Sequence, residues 1–297
     1  MHVEEAAGRI RSMEVRGALR IAVAAARALE EEIVSGASAD DVHKAADVLR
    51  DARPTAVSLP NAVNYVLHIV ESHGSDDPAV GRALILGEVT AFISSLESSI
   101  AEAAAHGSSL VEDGDVILTI CNSSTVVEAL KLAKGRGRRF SVFACETRPR
   151  WQGHITAREL SGAGVDVTLI VDSAAYHTLK TKGVSKVFVG ADTVYADGSV
   201  VNKVGTSQVA LAARSAGVPV YVLTESIKFY PYSMHGATVE IEERDGAEVS
   251  DIKGVGVFNP AFDVTSADNI TSLVTEDGVC PPGEVRARME EKFGWMM

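Results

Sequence analysis

The chain has 297 residues, 46% of them apolar and 23% charged, with a formal net charge of -12. That length holds one large domain or two modest ones, each with a real core. The acidic balance, present in both halves, excludes a nucleic-acid binder working through general electrostatics. Cys121, Cys145 and Cys280 form no CxxC pair, which suits a reducing cytoplasm and gives no zinc site. The charged amino terminus (Glu4, Glu5, Arg9, Arg11) predicts no signal peptide, and no uninterrupted apolar run reaches membrane-spanning length, so no membrane partner is expected.

In chain order, residues 1–107 read as a small helical domain. An Ala-rich helix is expected over 15–33, with Arg16, Gly17 and Ala18 giving a tight, exposed backbone approach at its start. A second helix over 40–50 is broken by Arg53 and Pro54, because the residue before a proline avoids the helical region. Helices over 59–71 and 78–106, with a polar loop between them, complete this part.

From residue 108 to 297 the rhythm changes. Short β-branched runs at 116–120, 140–144, 165–171, 186–189 and 219–223 alternate with helices over 125–134, 155–162, 173–181 and 207–216. That alternation predicts an α/β, Rossmann-like, mostly parallel sheet. Thr125 and Glu128 read as a capping box opening the first of these helices. Asp197-Gly198 is a hairpin turn that would fold Asn202 and Lys203 back toward Asp192. Residues 258–263 should close the sheet region, and the tail from Glu284 should be a final helix.

No GxGxxG, P-loop, GxSxG or HExxH is present, so neither a dinucleotide nor a metal is expected, and no cofactor is assigned. Residues 131–150 hold seven Lys or Arg against one Glu. Lys134, Arg136, Arg138 and Arg139 read as cations decorating a helix carboxyl end, whereas Arg148 and Arg150 lie past the next strand. Four polar groups stand just beyond strands: Cys121, Arg148, Asp192 and Lys228. Singly, each has a plain role: a small buried thiol, a surface cation, a turn aspartate, a salt-bridge lysine. Together, at the edge where open parallel sheets bind ligands, they describe a site for an anion undergoing proton transfer. The thiol faces a helix amino terminus, where the dipole favours thiolate.

Further stretches fall into a known pattern. Arg16-Gly17-Ala18, RPTAVSLPNAV at 53–63, ETRP at 146–149, Gln152-Gly153, TLIVDSA at 168–174, GAD at 190–192, NKVGT at 202–206 and NPAFDVT at 259–265 span nearly the whole chain. The chain resembles the family that holds archaeal ribose-1,5-bisphosphate isomerase, 5-methylthioribose-1-phosphate isomerase and the regulatory subunits of translation initiation factor 2B. The RPTAVSLPNAV form and the modest length are most similar to the ribose-1,5-bisphosphate isomerase branch. The resemblance implies an aldose-ketose isomerase of nucleotide salvage, with methylthioribose-phosphate isomerisation or a non-catalytic regulatory role as the alternatives. It implies Cys121 and Asp192 as the catalytic pair, the aspartate as acid and the thiolate as base, a hydride shift being the other route. It further implies substrate contacts from Arg16, Gly17, Ala18, Arg53, Ser123, Arg148, Asn202, Lys203 and Lys228. Homo-oligomers built from dimers, in some cases hexamers, and AMP as a nucleotide effector are expected on the same ground.

Overall fold

The computed structural model describes residues 2–15, 17–53, 56–73 and 78–296. Arg16, Pro54, Thr55 and most of the polar loop expected before residue 78 lie outside the described residues. The chain forms two compact units, Met1–Ser99 with Ile227–Phe229, and Ile100–Ser226 with Tyr230–Met297. The division falls ahead of residue 107, where the change of sequence rhythm puts it, because it lies inside one continuous helix.

The first unit holds α1 (Val3–Arg11), α2 (Ala18–Ser35), α3 (Ala39–Arg50), α4 (Ser58–Ser72) and the first part of α5 (Pro78–Ser109). The charges near the amino terminus pattern α1, a helix not singled out from the sequence. Glu4 and Glu5 lie in its first turn and Arg9 and Arg11 in its last, while Val3, Ala6, Ala7 and Ile10 are buried at helical spacing. Ala24, Ala25 and Ala28 of α2 carry no bulk, so its neighbours approach closely around a core that includes Leu29, Leu49, Leu59 and Val63.

The expectation about membrane-spanning length is corrected by α5. An 18-residue window within its Ala79–Ser109 stretch has a mean hydropathy of 1.4, enough to cross a membrane by length and composition alone. Charged residues such as Arg82 and Glu88 interrupt the run, so it does not read as one apolar stretch. Within the first unit this helix is a packing element: Val89 and Ile93 join the core, and Glu97 accepts from the Arg27 guanidinium at 2.6 Å.

The second unit is built on a sheet of seven strands, β1 (Val116–Thr119), β2 (Ser141–Cys145), β3 (Asp166–Ile170), β4 (Lys186–Val189), β7 (Val220–Leu223), β9 (Ser272–Thr275) and β10 (Gly278–Cys280). Their order is β10-β9-β7-β4-β1-β2-β3, and every neighbouring pair is parallel except β10 with β9. The connecting helices are α6 (Ser124–Gly135), α7 (Gln152–Gly162), α8 (Ala175–Thr181) and α9 (Thr206–Ala216). Fully buried Ile117, Leu130, Leu160 and Phe188 lie between sheet and helices. β5 (Thr193–Val194) and β6 (Val200–Lys203) form the expected hairpin, but they leave the main sheet and pair with β8 (Phe262–Thr265) in a separate antiparallel sheet. Residues 258–263 therefore do not close the main sheet. β9 and β10 do so, two short strands the sequence pattern did not separate from the surrounding loops. α10 (Val285–Phe293) is the expected final helix.

Candidate active site

The strand order fixes where the candidate groups stand. From β1 the chain runs to β2 and β3 on one side, while β4 returns to the other side of β1. This is a topological switch point, the crevice where open α/β sheets take ligands. Thr119 pairs with Phe188 across β1 and β4, so Cys121 and Gly190 leave the sheet at the same level. A side chain on Gly190 would put its Cβ 2.7 Å from Ser123 Oγ, so only glycine lets the loop after β4 lie against the loop after β1.

Cys121 adopts φ 71°, in the left-handed region. That conformation costs a non-glycine residue about 1–2 kcal/mol. Its N–H donates to Thr147 Oγ1 at 2.8 Å, and its carbonyl accepts from Thr156 Oγ1 at 2.8 Å. The following helix is capped by Ser123, whose hydroxyl accepts from the Val126 N–H at 3.4 Å. The capping box read at Thr125 is therefore corrected. The Thr125 hydroxyl donates instead to Glu225, a carboxylate 1% exposed at the end of β7.

Asp192 is exposed, and its N–H donates to the Val201 carbonyl at 2.8 Å, which docks the hairpin as the turn pattern predicted. Asn202 and Lys203 are buried on β6. The Asn202 amide donates to Thr206 Oγ1 at 3.0 Å. The Lys203 ammonium donates to the Ala261 carbonyl at 2.8 Å and lies 4.7 Å from the centre of the Phe262 ring. Burial lowers its pKa, and the negative charge of Asp192 partly restores it. Asp263 closes the nearby amino terminus of α9, accepting from the Gly205 and Ser207 N–H groups and the Ser207 hydroxyl.

Burial pushes the Cys121 thiol up to about 11, and the charge of Asp192 adds to the shift, while Lys203 and Arg244 only partly oppose it. This direction runs against the thiolate expected from the helix dipole, although the Asn122 N–H lowers the pKa and Cys121 is only half-buried. Iodoacetamide alkylation of Cys121, followed by mass spectrometry, should therefore keep accelerating from pH 9 toward pH 11. An ordinary thiol with pKa 9.0 would level off across that range, and a plateau below pH 9 would contradict the assignment.

The remaining candidates divide between the units. Arg148 follows β2 in the second unit, but its side chain turns to the Trp151 ring, 4.9 Å from the centroid, and donates to the Val249 carbonyl at 3.2 Å. Gly17, with φ 93°, and Ala18 open α2 in the first unit, where Arg53 follows α3. Lys228 also belongs to the first unit, and Asn61 holds the carbonyls on either side of it at 2.8 and 2.6 Å. Arg16 is outside the described residues. Among the described residues, no group of three or more His, Cys, Asp or Glu could hold a metal ion.

A family model described as the initiation factor 2 subunit family matches residues 14–282. The chain belongs to that family. It is 43% identical over 99% of its length to a ribose 1,5-bisphosphate isomerase of Archaeoglobus fulgidus, covering 94% of that protein. It is 41% identical to the protein of that name from Methanocaldococcus jannaschii, over 99% of this chain and 96% of the other. Among solved structures, 5-methylthioribose 1-phosphate isomerase from Pyrococcus horikoshii matches with a TM-score of 0.79 at 31% identity, covering 98% of this chain and 88% of that one.

Several residues of this family member that shape the site carry no local signal. Thr147 and Thr156 reach Cys121 from the far end of β2 and from α7. Arg244, whose side chain is 13% exposed and bound to Glu242, acts electrostatically on Cys121 from a long irregular segment. Thr147 lies inside the ETRP stretch, where attention falls on the arginine. For Arg244 nothing in the sequence pattern stands out.

Proposed function

We propose that this protein converts ribose 1,5-bisphosphate to ribulose 1,5-bisphosphate, an aldose-ketose isomerisation. The observation that carries the reading is the juxtaposition of the Cys121 loop and the Asp192 loop at the switch point of the sheet, in a chain whose full-length relatives bear that activity in their names. The sugar is locked as a furanose by the phosphate on its anomeric carbon. An acid must supply a proton to the ring oxygen as the C1–O bond breaks, and a base must take the proton from C2. The double bond then formed joins C1 and C2.

The raised pKa of Cys121 favours its neutral thiol as the acid toward the ring oxygen and Asp192 as the base toward C2, the reverse of the assignment made from the resemblance. In the second half-reaction Asp192 returns its proton to C1, and the thiolate receives the proton of the C2 hydroxyl. Ketone and free thiol result, and both groups are restored. Lys203, the Asn202 amide and the loop at Ser123 are assigned to substrate on the second unit. Gly17, Ala18, Arg53 and Lys228 are assigned to phosphate on the first, with Arg16 as the remaining contact of that set. Arg148 is assigned to phosphate as well. A homo-oligomer assembled from dimers, up to a hexamer, AMP as effector and a cytoplasmic setting belong to the same reading.

A panel of ribose 1,5-bisphosphate, ribose 1-phosphate and methylthioribose 1-phosphate, read as ketose formed, tests the function directly. The bisphosphate should be the preferred substrate. Arg53→Ala should weaken the bisphosphate far more than ribose 1-phosphate, because only the former loses a charge-assisted contact of about 1.5–3 kcal/mol. Preference for the methylthio sugar would overturn the substrate assignment, and no turnover of any of the three would overturn the enzyme reading.

A further inference from the structure

The Cys121 backbone is held at both ends by hydroxyls that the reaction does not consume. Thr147 Oγ1 accepts from the Cys121 N–H at 2.8 Å and donates to the Cys145 carbonyl at 3.1 Å, so its proton is committed and its lone pair faces Cys121. Thr156 Oγ1 donates to the Cys121 carbonyl at 2.8 Å and accepts from the Asn122 amide at 3.0 Å. Both threonines are 1% exposed, which makes these bonds the whole use of each hydroxyl. Each is in turn placed by a neighbour. The Asp172 carboxylate accepts from the Thr147 and Arg148 N–H groups, both at 2.8 Å. Gly153 lies against the Cys145 carbonyl so closely that a Cβ would stand 1.7 Å from the oxygen, and Thr156 follows three residues later on the same helix.

We propose that Thr147 and Thr156 are positioning residues that clamp Cys121 in its left-handed conformation and so aim its thiol at the substrate. This rests on the reading of Cys121 as the reacting thiol. A residue with φ 71° relaxes toward ordinary backbone unless something holds it. Here two bonds of opposite direction, one to the N–H and one to the C=O, prevent the peptide planes on either side from turning. Neither hydroxyl is placed on substrate by this proposal. Their effect is on orientation, which a small displacement can degrade by about a hundredfold.

The test compares Thr147→Val and Thr156→Val with Thr147→Ser and Thr156→Ser in the full chain, using ribose 1,5-bisphosphate. Cys121→Ser serves as the reference. Each valine variant should lower kcat by about 10- to 100-fold with KM within about threefold, and each serine variant should recover most of the rate. A fall in kcat at near-constant KM, recovered by serine, is a pattern that loss of stability alone does not produce. Folding is checked by melting temperature. Where a valine variant does not fold, the alanine variant at that position removes the same hydroxyl without placing a methyl against its former partner. Wild-type kcat in the valine variants, with Cys121→Ser inactive, would overturn the clamp and leave Cys121 in place. Wild-type turnover by Cys121→Ser would instead remove the reading on which the clamp rests.

Discussion

Cys121→Ser and Asp192→Asn are each expected to lower turnover of ribose 1,5-bisphosphate at least about a hundredfold, the usual scale for a group that transfers a proton in the transition state. Serine keeps the size of the side chain but raises the cost of forming the anion that must later take up the C2 hydroxyl proton. Asparagine keeps the shape of the carboxylate and removes its basicity. Neither change takes a cation from the substrate, so affinity measured calorimetrically should survive in both. The two variants should also differ in the remaining thiol. Without the negative charge of Asp192, which now helps hold the Cys121 thiol up to about 11, the pKa of Cys121 should fall and its alkylation at neutral pH should speed up. Near-wild-type turnover in either variant would remove that residue from the mechanism. An unchanged alkylation rate in Asp192→Asn would show that the two groups are not electrostatically coupled.

Gly153→Ala should cause the second large effect, for a reason of packing. The added Cβ would stand 1.7 Å from the Cys145 carbonyl oxygen and 2.8 Å from the Cys145 carbonyl carbon, both backbone atoms at the end of a buried strand. No side chain can move to make room, so the start of α7 must shift away from β2. Overpacking of this kind costs about 1–3 kcal/mol or more. In a chain of this size that lowers the melting temperature by roughly 2–4 °C for each kcal/mol. The same shift carries Thr156 away from the Cys121 carbonyl, so kcat should fall beyond what the loss of stability explains. Gly162→Ala, at the other end of the same helix, is the control: nothing lies within 4 Å of its added Cβ. It should leave activity unchanged and stability equal or slightly higher, since alanine loses less backbone freedom on folding. Equal melting temperatures and rates for Gly153→Ala and the parent would show that close packing of α7 on β2 at Gly153 matters neither to stability nor to the placement of Thr156.

Much of the frame was legible because it is local. The strand expected over 186–189 is β4, Lys186–Val189, residue for residue, and the other central strands of the main sheet fall within a residue or two. Short β-branched runs bounded by polar turns have few other ways to bury themselves. The Asp197-Gly198 turn placed Asn202 and Lys203 on a strand that returns toward Asp192 because a turn of that kind sets the register of its hairpin. The candidate thiol was visible for a similar reason: a cysteine in a polar loop between strand and helix departs from the usual buried fate, whereas Cys145 and Cys280 follow it. The resemblance of ordered motifs added the chemistry, which no periodicity contains.

Other features depended on what comes together from far along the chain. Ser123 rather than Thr125 caps α6 because Glu225 takes the Thr125 hydroxyl, a partner 100 residues away. The hairpin joined a second small sheet because β8 was available to pair with it, and β9 and β10 became strands of the main sheet by adding to the free edge of β7. The sequence by itself determined the alternation of strand and helix, the helical first part and the hairpin, because each is written in neighbouring residues. Only the tertiary structure decided that Cys121 is held by hydroxyls 26 and 35 residues away and that its surroundings raise the pKa of its thiol. The physical reason is that a hydrogen-bond partner and a local dielectric are set by whatever the fold packs around a group, and neither leaves a pattern in the residues beside it.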